Sequence, residues 1–287
     1  MDEVAPDQDI DALTRFVANA RRLFVLTGAG CSTASGIPDY RDFDGAWKRA
    51  QPMTLQAFVG AADARRRYWA RSLVGWPVMA DAQPNAAHLA LASMQTNGRL
   101  SALVTQNVDG LHTKAGAAGV IDLHGRLDTV VCLQCATRSA RADFQQRLAD
   151  LNPDWQHRSA ELAPDGDADL DETDFSGFRV PGCDGCSGVI KPDVVFFGEN
   201  VPRERVDAAM QALAGSDAML IVGSSLTVFS GFRFAREAAR LGLPIASLTL
   251  GRGRADDLLA LHVMRPCDQV LAMLARALPV PSLERMR

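Results

Sequence analysis

Short, largely apolar runs alternate with longer mixed stretches along this chain. Leu23–Leu26, Leu100–Thr105, Val120–Leu123, Val194–Phe197, Ala218–Val222 and Pro244–Leu250 are too short for buried helices, and each predicts a strand covered on both faces. Helical periodicity fills the gaps. From Asp11 to Arg22 the spacing puts Leu13, Phe16, Val17 and Ala20 on one face. Residues about 53–97 are rich in Ala, Arg and Leu and predict helices; Pro84 and Asn85 start one that carries His88 and Leu89. Gln269–Leu278 predicts a last helix. Strands alternating with helices imply an α/β fold built on a Rossmann-like parallel sheet. The pattern breaks over 126–190, where continuous apolar sequence is scarce. The expected organisation is a Rossmann-like domain over 11–45, 100–125 and 191–280. A smaller inserted domain would combine a helical module (46–99) with a cysteine-bearing module (126–190), and 1–10 and 281–287 would be flexible tails.

Composition narrows the class. At 287 residues, with 47% hydrophobic and 22% charged residues, the chain suits one large globular domain with an appendage. A net charge of −4 argues against a general nucleic-acid or membrane surface. The acidic start, MDEVAPDQDI, has no apolar core of a signal peptide, and no apolar run approaches membrane-spanning length. Of six cysteines, four form two C-x-x-C pairs, which fits metal ligation in a reducing compartment better than a disulfide framework. The expected location is cytoplasmic.

The candidate chemistry begins after the first strand. Gly28-Ala29-Gly30 and a small-residue turn lead toward an expected helix, an arrangement that lets backbone N–H groups approach a phosphate. The third glycine of the common dinucleotide fingerprint is replaced by Thr33, and the next glycine is Gly36. Taken alone, this turn is equally a strand-to-helix connection without a ligand. Cys132-x-x-Cys135 and Cys183-x-x-Cys186 can give four thiolates to one tetrahedral Zn²⁺ with no open position, a structural site. His124 follows a strand and precedes Gly125, at the strand end where α/β sheets hold ligands; there it is either a proton acceptor or a hydrogen-bonded structural histidine. Gln106, Asn107 and Asp109 follow another strand, where amide and carboxylate groups suit a carboxamide and ribose hydroxyls or simply cap a helix. The stretch PDGDADLDETD over 164–174 suggests a calcium loop but has Leu170 in place of the required glycine and Ser176 in place of the bidentate Glu, so it predicts a solvated acidic loop.

The string Ser35-Gly36-Ile37-Pro38-Asp39-Tyr40-Arg41 resembles the cofactor loop of the sirtuins, NAD-dependent protein deacylases. The resemblance continues in order through Thr105–His112, Leu123-His124-Gly125, both cysteine pairs, Lys191–Glu199 and Gly223-Ser224-Ser225-Leu226, from about residue 20 to about residue 270. It implies that Gly28, Ala29, Gly30, Ser32, Asp39, Tyr40 and Arg41 bind NAD, together with Gln106, Asn107, Val108, Asp109, Gly223, Ser224, Ser225, Thr249, Leu250, Gly251 and Cys267. Asp109 would hold the nicotinamide amide, Asn107 would face the ribose and share catalysis with His124, and Gln106 would support the pocket. His112 would be structural; His88, His157 and His262 carry no catalytic implication. Tyr40 stands where many members have Phe, and Thr249 where the family places an Asn on the adenine ribose. Cys31 replaces an apolar residue and is expected to pack.

The resemblance implies one structural Zn²⁺, NAD as cofactor, and acyl-lysine proteins as substrates that add a strand beside Val194, Phe196 and Gly198. The implied products are nicotinamide, lysine and acyl-ADP-ribose. A mono-ADP-ribosyltransferase and a non-catalytic NAD-sensing module are the alternatives. Tyr68 and Arg71, at i,i+3 on a predicted helix, match a pair that reads acidic acyl tails in some members, although the surrounding arginines also suit a solvated basic face. Gly75-Trp76-Pro77 and the acidic insertion resemble the class II branch, whose members accept bulkier acyl groups.

Overall fold

The fold, obtained as a computed structural model, describes residues 8–40, 42, 48, 52–155, 158, 166–168, 170 and 174–278. Residues 1–7 and 281–287 of the expected tails, Arg41, His157 and most of the acidic stretch lie outside the described residues, whereas residues 8–10 of the expected N-terminal tail belong to the first helix.

Nine strands and nine α-helices are described. The strands are β1 (Leu23–Thr27), β2 (Leu100–Thr105), β3 (Ile121–Asp122), β4 (Gly125–Cys132), β5 (Arg138–Ala140), β6 (Ile190–Val194), β7 (Ala218–Val222), β8 (Ile245–Leu248) and β9 (Leu261–Val263). The helices are α1 (Gln8–Asn19), α2 (Leu55–Gly60), α3 (Ala62–Asp81), α4 (Ala86–Thr96), α5 (Leu111–Lys114), α6 (Arg141–Leu151), α7 (Arg203–Ala214), α8 (Phe229–Arg240) and α9 (Cys267–Ala277).

Six strands form a parallel sheet in the order β3-β2-β1-β7-β8-β9. Every side chain of β1 is buried, as its unbroken apolar run requires. Leu23 and Val25 enter a core shared with α1, α4 and α9, while Phe24 and Leu26 enter the opposite core with α7 and α8. The two faces of one strand thus hold two helical layers.

A second, antiparallel sheet has the order β5-β4-β6. With α2, α3 and α6 it encloses a third core containing Phe58, Tyr68, Trp69, Phe144, Trp155 and Phe178. Trp69 packs on Phe144 at 4.6 Å between centroids and donates to the Ile190 carbonyl at 3.3 Å. The region expected to lack apolar sequence therefore has a substantial core, contributed largely by α3 from an earlier part of the chain.

Several expected elements move. The strand expected at Val194–Phe197 is β6, one turn of sequence earlier, and it lies in the antiparallel sheet. Lys191 hid it: the side chain is buried, with its ammonium 3.2 Å from Glu199 and donating to the Val194 carbonyl. The expected module over 46–99 does not pack as one body, because α4 lies against α9 in the large core. Val120–Leu123 shortens to β3. The phosphate loop enters two 3₁₀ turns, Ala29–Cys31 and Thr33–Ser35, and not the expected α-helix.

Gly125 joins the two sheets. It follows His124 directly, has φ +82°, and a Cβ there would lie 2.0 Å from the Asp193 carbonyl oxygen. Gly125→Ala meets both a left-handed backbone and a rigid main-chain neighbour, so it is expected to cost more than about 2 kcal/mol. Urea denaturation checks this through the transition midpoint.

Candidate functional site

The loops after β1 and β7 meet where the strand order reverses, at the carboxyl ends of the sheet, which is where open α/β sheets bind ligands. Glycine makes the approach possible. A Cβ on Gly28 would lie 2.6 Å from Ser224 Cβ, and one on Gly30 would lie 3.0 Å from the Gly223 oxygen. The amides of Gly28 and Gly30 donate to Val222 O and Gly223 O at 3.0 and 2.8 Å. They are spent on docking the two loops, so the expected glycine N–H cradle is not offered at these two positions. With only 3₁₀ turns following, there is also no α-helix dipole behind the loop.

A cavity of about 500 Å³ opens from this junction. It is lined by Gly28, Ala29, Gly30, Ser32, Asp39, Tyr40, Gln106, Asn107, Val108, Asp109, His124, Gly223, Ser224, Ser225, Thr249, Leu250 and Cys267, and also by Tyr68, Val194, Phe196 and Gly198. Gly251 and Arg71, both singled out in the sequence, do not line it. Arg71 instead accepts the Ala168 amide on its backbone carbonyl at 3.0 Å. Tyr68 sits edge-on to Phe58, beside Phe196, so this end of the cavity has an aromatic wall.

His124 is oriented from both ring nitrogens. Nδ1 lies 2.9 Å from the Gln106 carbonyl, which can only accept, so Nδ1 carries the proton. Nε2 therefore holds the lone pair and accepts from the Ser230 hydroxyl at 2.8 Å. Burial pushes the imidazole pKa down to about 4, against the raising effect of the Gln106 carbonyl, with Arg205 and Arg233 adding to the depression. The ring is neutral at pH 7 with its basic nitrogen at the cavity.

Asn107 and Asp109 are set by a compact polar network. Asn107 Nδ2 donates to Gly28 O and Ser32 Oγ, both at 3.0 Å, and Ser32 Oγ donates to Asp109 Oδ2 at 2.7 Å. Asp109 Oδ1 accepts the Leu111 amide at 2.8 Å, which starts α5. Gln106 Nε2 donates to Ser224 Oγ at 2.7 Å, tying the β2 loop to the β7 loop.

Beneath this network lie Cys31, His88 and His112, whose ligand atoms fall within 4.8 Å of one another. His112 Nε2 bonds Thr27 Oγ1 at 2.9 Å, and burial, then His88, lowers its pKa to about 3. His88 Nδ1 accepts the Asn85 amide and its Nε2 faces Ser32, so both nitrogens are committed to the capping box of α4 and to the network. The trio is a buried support, in line with the expected structural role of His112.

The four remaining cysteines converge. Sγ–Sγ separations are 3.5 Å for Cys132–Cys186 and 3.7 Å for Cys135–Cys183. Tetrahedral Zn²⁺ with Zn–S near 2.3 Å requires edges of about 3.8 Å. Each pair sits on a tight turn. Ala136 N returns to Cys132 O at 3.0 Å, and Ser187 N to Cys183 O at 2.7 Å. The left-handed residue of each turn is non-glycine, Ala136 in the first and Ser187 in the second.

Sequence reasoning missed Ser230, Arg233, Phe229 and Met53 in the cavity wall. Ser230 carried no motif; only the small pair Ser230-Gly231 at the start of α8 marks it, where a Cβ on Gly231 would meet Gln106 Oε1 at 2.5 Å.

Fold and cavity together define an α/β protein with a ligand cavity at the switch point of a Rossmann-like sheet and a four-cysteine cluster that fits a structural zinc. The Sir2 family model matches residues 28–230. An NAD-dependent protein deacetylase of Xanthomonas campestris is 60% identical over 271 residues, 94% of this chain and 92% of that protein. One from Bordetella bronchiseptica is 60% identical over 264 residues, 92% and 96% respectively. A solved structure of Sir2 with p53 peptide and NAD+ superimposes at TM-score 0.74 and 26% identity, over 93% of this chain and 97% of that one. The chain belongs to the Sir2 family.

Proposed function

We infer that this protein is an NAD-dependent protein-lysine deacylase. The observation that carries the reading is the neutral, doubly oriented His124 facing a cavity shared with Asn107, Asp109 and the glycine loops. NAD, when bound, would supply the glycosidic bond whose cleavage releases nicotinamide and the ADP-ribose that carries the acyl group away. The residues present fit it: the two glycine loops leave room that a Cβ would fill, and Asn107 and Asp109 offer an amide and a carboxylate on one rigid loop. In this reading Asp109 accepts from the carboxamide, Asn107 orients the ribose, and His124 Nε2 takes a proton from a ribose hydroxyl after Ser230 gives way. The four thiolates would hold zinc at the β4 end, remote from the proton transfer.

The acyl-lysine peptide would run beside Val194–Gly198. The carbonyls of Val194, Phe196 and Phe197 already accept from Lys191, Glu199 and Leu55, so a peptide strand would use the groups these bonds leave. The aromatic wall at Tyr68, with Arg71 outside the lining, favours an uncharged acyl chain over the acidic one suggested by the sequence.

Mass spectrometry after incubation with NAD and acyl-lysine peptides separates the outcomes. Free lysine with acyl-ADP-ribose supports deacylation, ADP-ribosylated protein supports a transferase, and unconsumed NAD supports a binding module. Acetyl, butyryl and glutaryl peptides compared in parallel test the acyl reading, and faster turnover of glutaryl would overturn it.

A pH profile gives a further check. A base works unprotonated, so kcat/KM should stay level from neutrality downward and fall only near pH 4, where His124 gains its proton in the free protein. The fold loses stability over the same range. An imidazole with a folded pKa near 4 binds fewer protons than the unfolded chain below its ordinary 6.5, so acidification through that window favours unfolding. Initial rates recorded alongside circular dichroism separate the two effects.

A further inference from the structure

At the cavity mouth, where Val228 and Phe229 begin α8, the wall changes from apolar to cationic. Phe229 is 46% exposed and lines the cavity. Arg233 and Arg236 follow it along the same stripe of α8, with guanidinium carbons 5.4 and 5.5 Å from its ring centroid. Arg254, from the segment after β8, lies 5.9 Å from Phe229 and 4.5 Å from Phe232. It is fixed at its backbone, donating to Ser225 O at 2.7 Å, and by Nη1 donating to Thr227 O at 3.1 Å.

None of these three arginines pairs with a carboxylate among the described residues. The nearby Glu237 is taken by Arg240 at 2.6 Å. Arg233 lines the cavity, and its Nε is buried without a hydrogen-bond partner. Three guanidiniums therefore gather on a chain whose net charge is −4, beside an exposed ring. An aromatic face restrains a guanidinium while leaving it N–H groups that can meet a carboxylate.

We propose that Arg233, Arg236 and Arg254, gathered around Phe229, form a shelf that selects acyl-lysine peptides carrying Asp or Glu beside the acyl-lysine. The proposal rests on the deacylase reading, because that reading brings a peptide beside Val194–Gly198, which lines the same cavity as Val228, Phe229 and Arg233. The shelf acts on binding and touches no reacting atom, so its effect belongs in KM.

The test uses three peptide series with one acyl-lysine and flanks of Glu, Ala or Lys on either side, with kcat and KM measured separately. KM for the Glu series should fall about tenfold below the Lys series, with kcat unchanged, and the gap should shrink as salt rises from ~50 to ~500 mM, since exposed charges are screened. Arg236 is exposed and lies outside the cavity lining. Arg236→Glu should invert the ranking, and Arg236→Lys should retain part of it. Equal KM across the series, or a ranking that Arg236→Glu leaves unmoved, overturns the shelf. If no peptide is turned over, the deacylase reading fails. Fluorescence anisotropy with the same labelled peptides then decides the shelf alone: tighter, salt-sensitive binding of the Glu series supports it, and equal binding overturns it.

Discussion

Replacing His124 with alanine is expected to lower kcat by ~10²–10⁴, the usual range for loss of a general base. The fold should survive. His124 sits between β3 and β4, and its side chain makes two hydrogen bonds, to Gln106 O and from Ser230 Oγ. Their loss leaves a small polar void open to the cavity, which water can fill. Dinucleotide affinity should also survive, since Asn107, Asp109 and the glycine loops are held by bonds that do not pass through His124. Neither His88 nor His112 can substitute, because both are buried and bonded beneath the loop. Calorimetric NAD binding together with single-turnover rates checks the claim. Near-native turnover in the folded variant would remove His124 from the chemistry, and loss of NAD binding would make it a binding residue.

The second large effect is expected at the metal module. Cys183→Ser should abolish binding of one zinc per chain and melt the end of the β4–β6 sheet. Structural zinc contributes roughly 10–16 kcal/mol of apparent binding energy in isolated peptide domains. Part of that is replaced here by the aromatic core around Trp69, Phe144 and Phe178, so a partial collapse is expected and not a fully unfolded module. Amide exchange should accelerate at 132–137 and 182–190 while β1 and β7 stay protected. Metal analysis and thermal melts with and without chelator complete the test. A metal-free protein melting at the native temperature would show that the thiolates are not a structural zinc site.

Much of this was legible in the sequence because the signals were local. Largely apolar runs marked β1, β2 and β7, and paired cysteines marked the metal module. Other features depended on distant partners. The buried Lys191 disguised β6, because its charge is offset by Glu199, eight positions on and folded back. Ser230 became visible only when α8 was brought to His124. The role given to glycine was partly misread. At Gly28 and Gly30 the need is for closeness between two loops, and the N–H groups are consumed in that contact. Arg71 shared a helical face with Tyr68 in the pattern, yet only Tyr68 reaches the cavity.

The position of β1 in the sheet has a consequence for biosynthesis. It lies between β2 and β7, so one edge of Leu23–Thr27 is matched after about a hundred residues are made and the other only when Ala218–Val222 emerges. Until then the nascent chain leaves the N–H and C=O groups along that edge of a largely apolar strand unpaired, the kind of edge that pairs with neighbouring chains. Translation through the intervening insert sets the length of that exposure. Slow codons within residues 28–217 are therefore expected to raise aggregation without altering the finished protein.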